Sequence, residues 1–295
     1  MAPIFKAMDS TPLQFDPLKY KQTTHQQWQE AAEAWYRWSP LLHQWLGTTT
    51  QEMLDMAGVT TGQNLLDIAA GAGEQSITAA KMVGPGGRVL ATDISANILE
   101  YAKQMAAEAG MHNIETAVMD GENLELEDET FDVVISRVGL IYFPDQQKAL
   151  TEMLRVLKPG GKIAAIVYSV PEKNTFFSTP VAIIRKHAKL PPPLPGQPGP
   201  FSLSQKGVIE KAFATAGFKK VKSTLVNAPL ICESAKQCLQ FEKESFGALH
   251  QMMSGLSESE KVAVWNEIET ALGEFETANG FEGPCEILVA VGEKG

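Results

Sequence analysis

From about residue 64 the chain alternates short apolar runs with stretches of helical periodicity. Runs at about 64–69, 87–92, 114–119, 131–136 and 161–168 read as strands, and amphipathic stretches at about 74–83, 96–109 and 145–157 read as helices between them. Lys158-Pro159-Gly160-Gly161 stops the last of these helices, because Pro and Gly do not continue one. Such regular alternation predicts a mostly parallel sheet with helices on both faces, since parallel strands need a crossover connection. A further helix at about 204–216, a strand at about 218–226 and a closing strand from Glu286 to Val291 complete the pattern. The expected fold class is therefore α/β, a doubly wound, mostly parallel seven-stranded sheet.

Three segments lie outside that alternation. Residues 1–20 are polar and aperiodic and are expected to be a flexible N-terminal segment. From Thr24 to Leu46, Trp28, Trp35, Trp38 and Trp45 recur at steps of seven and three, one face of a helix interrupted near Ser39-Pro40. Ser39 is expected to cap a second, short helix with Pro40 in its first turn. Between Val170 and Ser204 the pattern breaks, and Pro191 to Pro195 predicts a stiff loop. Residues 228–282 hold helical patterns at about 233–253 and 257–277, too much for a connection, and are expected to form a helical cap inserted into a domain of residues 21–227 and 283–295.

Charge narrows the partners. The formal net charge is −10, which repels a polyanion on average, so a nucleic-acid substrate is disfavoured. The densest basic cluster, Lys219, Lys220 and Lys222, reads as a solvated strand edge. There is no apolar stretch of membrane-spanning length and no signal-peptide pattern, which makes a cytoplasmic location the expectation. Cys232, Cys238 and Cys285 lack zinc-like spacing, and His25, His43, His112, His187 and His250 are scattered, so no metal is expected. Monomer and homodimer both stay open.

The chemistry concentrates at strand ends. Leu65-Leu66-Asp67-Ile68-Ala69-Ala70-Gly71-Ala72-Gly73-Glu74 runs from an apolar strand through small residues into a helix, a turn that lets backbone approach a ligand at Gly71 and Gly73. Alone such a turn is common. Asp93 ends the second strand, where a carboxylate can accept both hydroxyls of a ribose, and the third strand ends in Met119-Asp120-Gly121-Glu122. Both acids also suit a helix-capping role, but capping does not explain three strand ends converging on one edge.

In this combination, with Phe131-Asp132-Val133-Val134 and Leu157 to Gly161, residues 50–168 resemble the class I S-adenosylmethionine-dependent methyltransferases, particularly the small-molecule group similar to the ubiquinone/menaquinone C-methyltransferases. The resemblance implies a Rossmann-like methyltransferase fold binding S-adenosylmethionine and releasing S-adenosylhomocysteine. It also implies that Gly71 and Gly73, with Asp67 and Ala69 in the same motif, lie against the methionine and ribose parts. Asp93 would hold the ribose hydroxyls and Asp120 the adenine amino group, with Ile94 and Met119 sandwiching the ring and Gly121 and Glu122 alongside. The family often has glycine where this chain has Ala69.

After the fourth strand, Ser136-Arg137-Val138-Gly139-Leu140-Ile141-Tyr142-Phe143 falls where the family faces the sulfonium and the acceptor. Arg137 suits the methionine carboxylate or an ordinary salt bridge. The tryptophan stripe suits either helix packing or a lid, and in a lid Tyr36 and Trp38 are the residues expected to reach the cofactor. The expected activity is methyl transfer to a small, apolar or aromatic acceptor in a water-excluded pocket. Tyr142, His187 and His250 are the candidates for a general base. The alternatives are a non-methylating cyclase, lyase or binding module on the same fold, and a nicotinamide-dependent dehydrogenase, whose third fingerprint glycine is Ser76 here.

Overall fold

A computed structural model describes residues 15–194 and 196–295. Residues 1–14 of the expected flexible segment, and Pro195 of the proline cluster, lie outside the described residues. The chain begins with two helices, α1 (Pro17–Arg37) and α2 (Ser39–Ala57). The alternating body follows: β1 (Asn64–Ile68), α3 (Glu74–Val83), β2 (Arg88–Asp93), α4 (Ala96–Glu108), β3 (Ile114–Val118), β4 (Phe131–Arg137), α5 (Gln146–Val156) and β5 (Leu157–Tyr168). Next come α6 (Thr175–His187), α7 (Val208–Ala216) and β6 (Lys219–Asn227). Residues 228–282 contain β7 (Leu230–Cys232), α8 (Ala235–Ser245), α9 (Gly247–Met252), α10 (Glu258–Leu272) and β8 (Glu276–Thr277), with most of β9 (Gly280–Gly283). The last strand is β10 (Glu286–Glu293).

The main sheet has seven strands in the order β3-β2-β1-β4-β5-β10-β6. β1 to β5 pair in parallel, whereas β10 inserts antiparallel between β5 and β6. The order reverses between β1 and β4, and at such a switch point the flanking loops part and leave a crevice at the carboxyl edge. β1, β4, β10 and the second half of β5 are largely buried, as central strands covered on both faces must be. Lys219, Lys220 and Lys222 lie on β6, at the edge of the sheet, as their clustering suggested.

Four features depart from the sequence pattern. α1 starts at Pro17 and not near Thr24, because the Asp16 carboxylate accepts from the Leu18 and Lys19 amides at 3.1 Å and Pro17 supplies the first helical φ. α2 is 19 residues long, and Ser39 makes no capping bond; its hydroxyl donates back to the Trp35 carbonyl at 3.1 Å. α6 occupies part of the segment expected to be irregular. Its Phe176, Phe177, Pro180 and Ile184 do follow a helical period, which the internal proline obscures. Finally, β7, β9 and β8 form a small antiparallel sheet where only helices were expected, the hairpin lying near Asn279-Gly280.

Candidate functional site

The loop after β1 is built around left-handed backbone. Ala69 and Gly71 both have φ 57°, and Gly73 has φ 87°. A side chain at Gly71 would meet nothing closer than Ile98 Cδ1 at 3.9 Å, so its open side faces the crevice. Gly73 is different. A Cβ there would sit 3.0 Å from that of Ala102, so this glycine brings α3 and α4 together and does not line the crevice. The loop after β4 presses against the first: Val138 has φ 60°, rare for a β-branched residue, and a Cβ on Gly139 would fall 2.4 Å from Ala69 Cβ.

Asp67 lies beneath the loop, fully buried and out of the crevice. It accepts from Ser76 Oγ at 2.5 Å, while Gln75 Nε2 bonds the Ala70 carbonyl at 2.9 Å, which fixes the turn from behind. Burial pushes the Asp67 carboxyl up to about 7 against the lowering effect of Ser76, Arg137 and Gln75.

The other two strand-end acids do face the crevice. Asp93 accepts from the Gly71 amide at 3.0 Å and the Ser95 amide at 2.9 Å, one on each oxygen. Burial raises its pKa, opposed by the amides of Ser95, Gly71 and Ile94 and by His25. Asp120 accepts from the Glu122 amide at 3.0 Å and from Lys21 Nζ at 2.6 Å. Lys21 also reaches Glu122 at 2.7 Å, so Glu122 anchors α1 from outside the lining. Between them Gly121 forms a floor: a Cβ would collide with Phe143 Cζ at 2.6 Å and meet Ile68 at 3.1 Å. Ile94 and Met119 line the same end.

Arg137 lines the crevice and pairs with Glu74, and it also donates to Thr50 Oγ1 at 3.0 Å. Glu74 in turn contacts His43 Nδ1 at 2.7 Å. Burial alone would raise the Glu74 pKa, but Arg137 and His43 outweigh it and hold the carboxylate below its usual range. The Ser136 hydroxyl is buried with no hydrogen-bond partner among the described residues, and Ser136 is not part of the lining.

The roof comes from α1 and α2. Lys21, His25, Trp28 and Trp35 stand on one face of α1, and Trp45 adds to it from α2. Trp28 meets Tyr142 edge to face at 5.4 Å. Gln29 bonds Ser95 Oγ at 2.6 Å and the Asn97 amide at 2.9 Å, which pins α1 across the start of α4. Tyr36, in the last turn of α1, and Trp38, its C-cap, are the residues the stripe had suggested for cofactor contact. Tyr36 stacks on Tyr101 at 4.9 Å, and Trp38 donates to Glu244 at 2.7 Å and packs on Phe241. Neither lines the crevice. Trp35 and Trp28, about one and three turns before Trp38, take that place.

Of the base candidates only Tyr142 is at the site. His187 pairs with Glu267 at 2.6 Å and His250 with the Lys243 carbonyl at 2.7 Å, both away from the crevice. Burial raises the Tyr142 and Tyr168 phenols above their ordinary value, so both stay neutral donors. Lys21, Thr24 and His25 were not anticipated. Their signal is Lys21, His25 and Trp28 at steps of four and three, visible only once the helix is started at Pro17.

The crevice spans about 1230 Å³ out to its mouth. One end is polar, with Gly71, Asp93 and Asp120; the other is aromatic, with Trp28, Trp35, Trp45, Tyr142, Tyr168 and Phe246. Fold and strand-end acids together define the class I S-adenosylmethionine-dependent methyltransferase type. Residues 43–187 match the model of the ubiE/COQ5 methyltransferase family. It is 38% identical over 121 residues to the demethylmenaquinone methyltransferase of Listeria monocytogenes, a match covering 41% of this chain and 51% of the relative. It is equally 38% identical over 119 residues to a ubiquinone/menaquinone biosynthesis C-methyltransferase of Haemophilus ducreyi, covering 40% and 46%. The match thus spans about half the length of these curated relatives. Among solved structures, the YcgJ protein of Bacillus subtilis superposes with a TM-score of 0.56 at 18% identity, covering 84% of this chain and 98% of that one, a likeness of fold.

The residues fit S-adenosylmethionine, the methyl donor of this class. Gly71 leaves open space, Asp93 lines the crevice steadied by two amides, and Gly121 lets Phe143 and Ile68 pack close beneath the lining beside Asp120.

Proposed function

We propose that the protein transfers the methyl group of S-adenosylmethionine to a small apolar or aromatic metabolite. The observation that carries this reading is the two-ended crevice: strand-end carboxylates suited to adenosine open directly onto an aromatic chamber roofed by α1. Bound S-adenosylmethionine supplies an electrophilic methyl on a positively charged sulfur. Asp93 would hold the ribose hydroxyls, Asp120 the adenine amino group, and Ile94 and Met119 the faces of the ring. Arg137, which lines the crevice beside Glu74, would meet the amino-acid carboxylate.

At the other end, Trp28, Trp35, Trp45 and Phe246 exclude water and offer flat faces to a ring and to the sulfonium charge. Alignment and desolvation supply the acceleration, and the neutral phenols of Tyr142 and Tyr168 orient the acceptor by donating hydrogen bonds. The net charge of −10 supports a small molecule over a nucleic acid, and the three unpaired cysteines support a reducing, cytoplasmic setting. No described helix is long and apolar enough to cross a membrane.

The test is a panel of small ring compounds incubated with S-adenosylmethionine, followed for S-adenosylhomocysteine and a methylated product in equal amounts. A rearranged product formed without S-adenosylhomocysteine would replace this reading with that of a cyclase.

A further inference from the structure

Helix α8 carries two polar side chains that the site above does not use. Glu242 and Ser245, three residues apart and so on one helical face, are fully buried. Neither Glu242 oxygen nor Ser245 Oγ has a hydrogen-bond partner among the described residues. A fold rarely keeps three buried orphan polar atoms together unless something else engages them.

Their surroundings indicate what that is. Trp35 Nε1 donates to the Ser245 carbonyl at 3.1 Å, and Trp35 and the next residue, Phe246, both line the aromatic chamber. From β5, Tyr168 also lines the chamber, and Glu242 is among the groups near enough to act on its phenol. The pair therefore lies behind the aromatic wall, on the acceptor side. Burial drives the Glu242 carboxyl well above the ordinary range, with no cation beside it among the described residues, so it carries its proton and can both donate and accept. Phe246, at the break between α8 and α9, is the chamber-lining residue next to Ser245 and packs on Trp35 and Phe241.

We propose that Glu242 and Ser245 form the polar end of the acceptor pocket, binding a single hydroxyl or carbonyl oxygen carried on an otherwise apolar ring. An acceptor without that oxygen would leave both groups unpaired, and buried groups left unpaired reject a ligand more strongly than a missing apolar contact does. The proposal rests on the methyltransferase reading only for calling the ligand an acceptor.

The test uses the whole protein saturated with S-adenosylhomocysteine and titrated calorimetrically with 4-propylphenol and with propylbenzene, which differ by one hydroxyl. The wild type should favour the phenol by about tenfold. Glu242→Leu should abolish that preference without weakening S-adenosylhomocysteine binding, and Glu242→Gln, which keeps a donor and an acceptor, should restore it. Ser245→Ala, a smaller change, should reduce the preference by about half an order of magnitude and serves if the leucine variant does not fold. Equal affinity for the two probes in the wild type, or an undiminished preference in the leucine and alanine variants, overturns the proposal. Failure to bind S-adenosylhomocysteine at all would instead overturn the cofactor reading.

Discussion

Replacing Lys21 by methionine isolates the ionic part of the roof. In the structure Lys21 Nζ lies 2.6 Å from Asp120 and 2.7 Å from Glu122, with the lysine and both carboxylates at least partly shielded. Burial alone would lower the lysine pKa, but the two acids outweigh it and raise it, so the ammonium keeps its charge at neutral pH. Exposed pairs are worth at most about 1 kcal/mol, and charge-assisted bonds in shielded positions about 1.5–3 kcal/mol. Two pairs sharing one partly buried ammonium should therefore contribute about 2 kcal/mol to closure of the N-terminal half of α1. Methionine keeps the apolar stem and removes only the charge. Amide exchange from Lys21 to Trp28 should then speed up by about 30-fold, with α2 and the sheet unaffected. The same opening should hasten release of S-adenosylhomocysteine, and high salt should move the wild type toward the variant. Unchanged exchange in α1 of a folded Lys21→Met protein would show that Gln29 and the tryptophans alone hold the roof, and that the ion pairs are incidental.

Asp67 gives a pH signature. Its carboxyl ordinarily titrates near 3.8 but is raised to about 7 in the fold, so between these values the unfolded chain has released a proton that the native state retains. Stability should fall by up to about 4 kcal/mol as pH rises across that window and level off above it. Asp67→Asn should flatten denaturation midpoints between pH 4 and 7; an unaltered slope would mean that some other group is responsible. Ala69→Gly should relieve the left-handed backbone and raise stability by about 0.5–1 kcal/mol. A comparable loss instead would show that the methyl packed against Gly139 matters more than the strain.

The sheet was readable because its central strands are apolar runs bounded by Gly, Pro and Asp, and Asp93 and Asp120 because they stand where such strands end. The rest depended on contacts between distant parts of the chain. Gly73 looks like Gly71 in a motif, yet one faces α4 and the other the crevice, a distinction made by the position of Ala102. Trp35 and Trp38 are equally aromatic, and only the start of α1 at Pro17 and its docking between α4 and α8 decide which turns inward. Glu122 reads as a ligand by adjacency to Asp120 but is drawn to Lys21, a residue 101 positions away. His187 and His250 lie in helices whose docking the sequence does not specify, and both end on surface partners.

The central claim is that the strand-end carboxylates hold adenosine, and calorimetric titration of S-adenosylhomocysteine into wild-type protein and Asp93→Ala tests it most directly. The carboxylate accepts the Gly71 and Ser95 amides and faces the crevice, so its loss removes the contacts to both ribose hydroxyls. Saturable one-to-one binding to the wild type is expected, with affinity lowered by about 2–3 kcal/mol, or roughly 30- to 150-fold, in the folded variant. No binding to the wild type, or equal affinity in the two proteins, would contradict it.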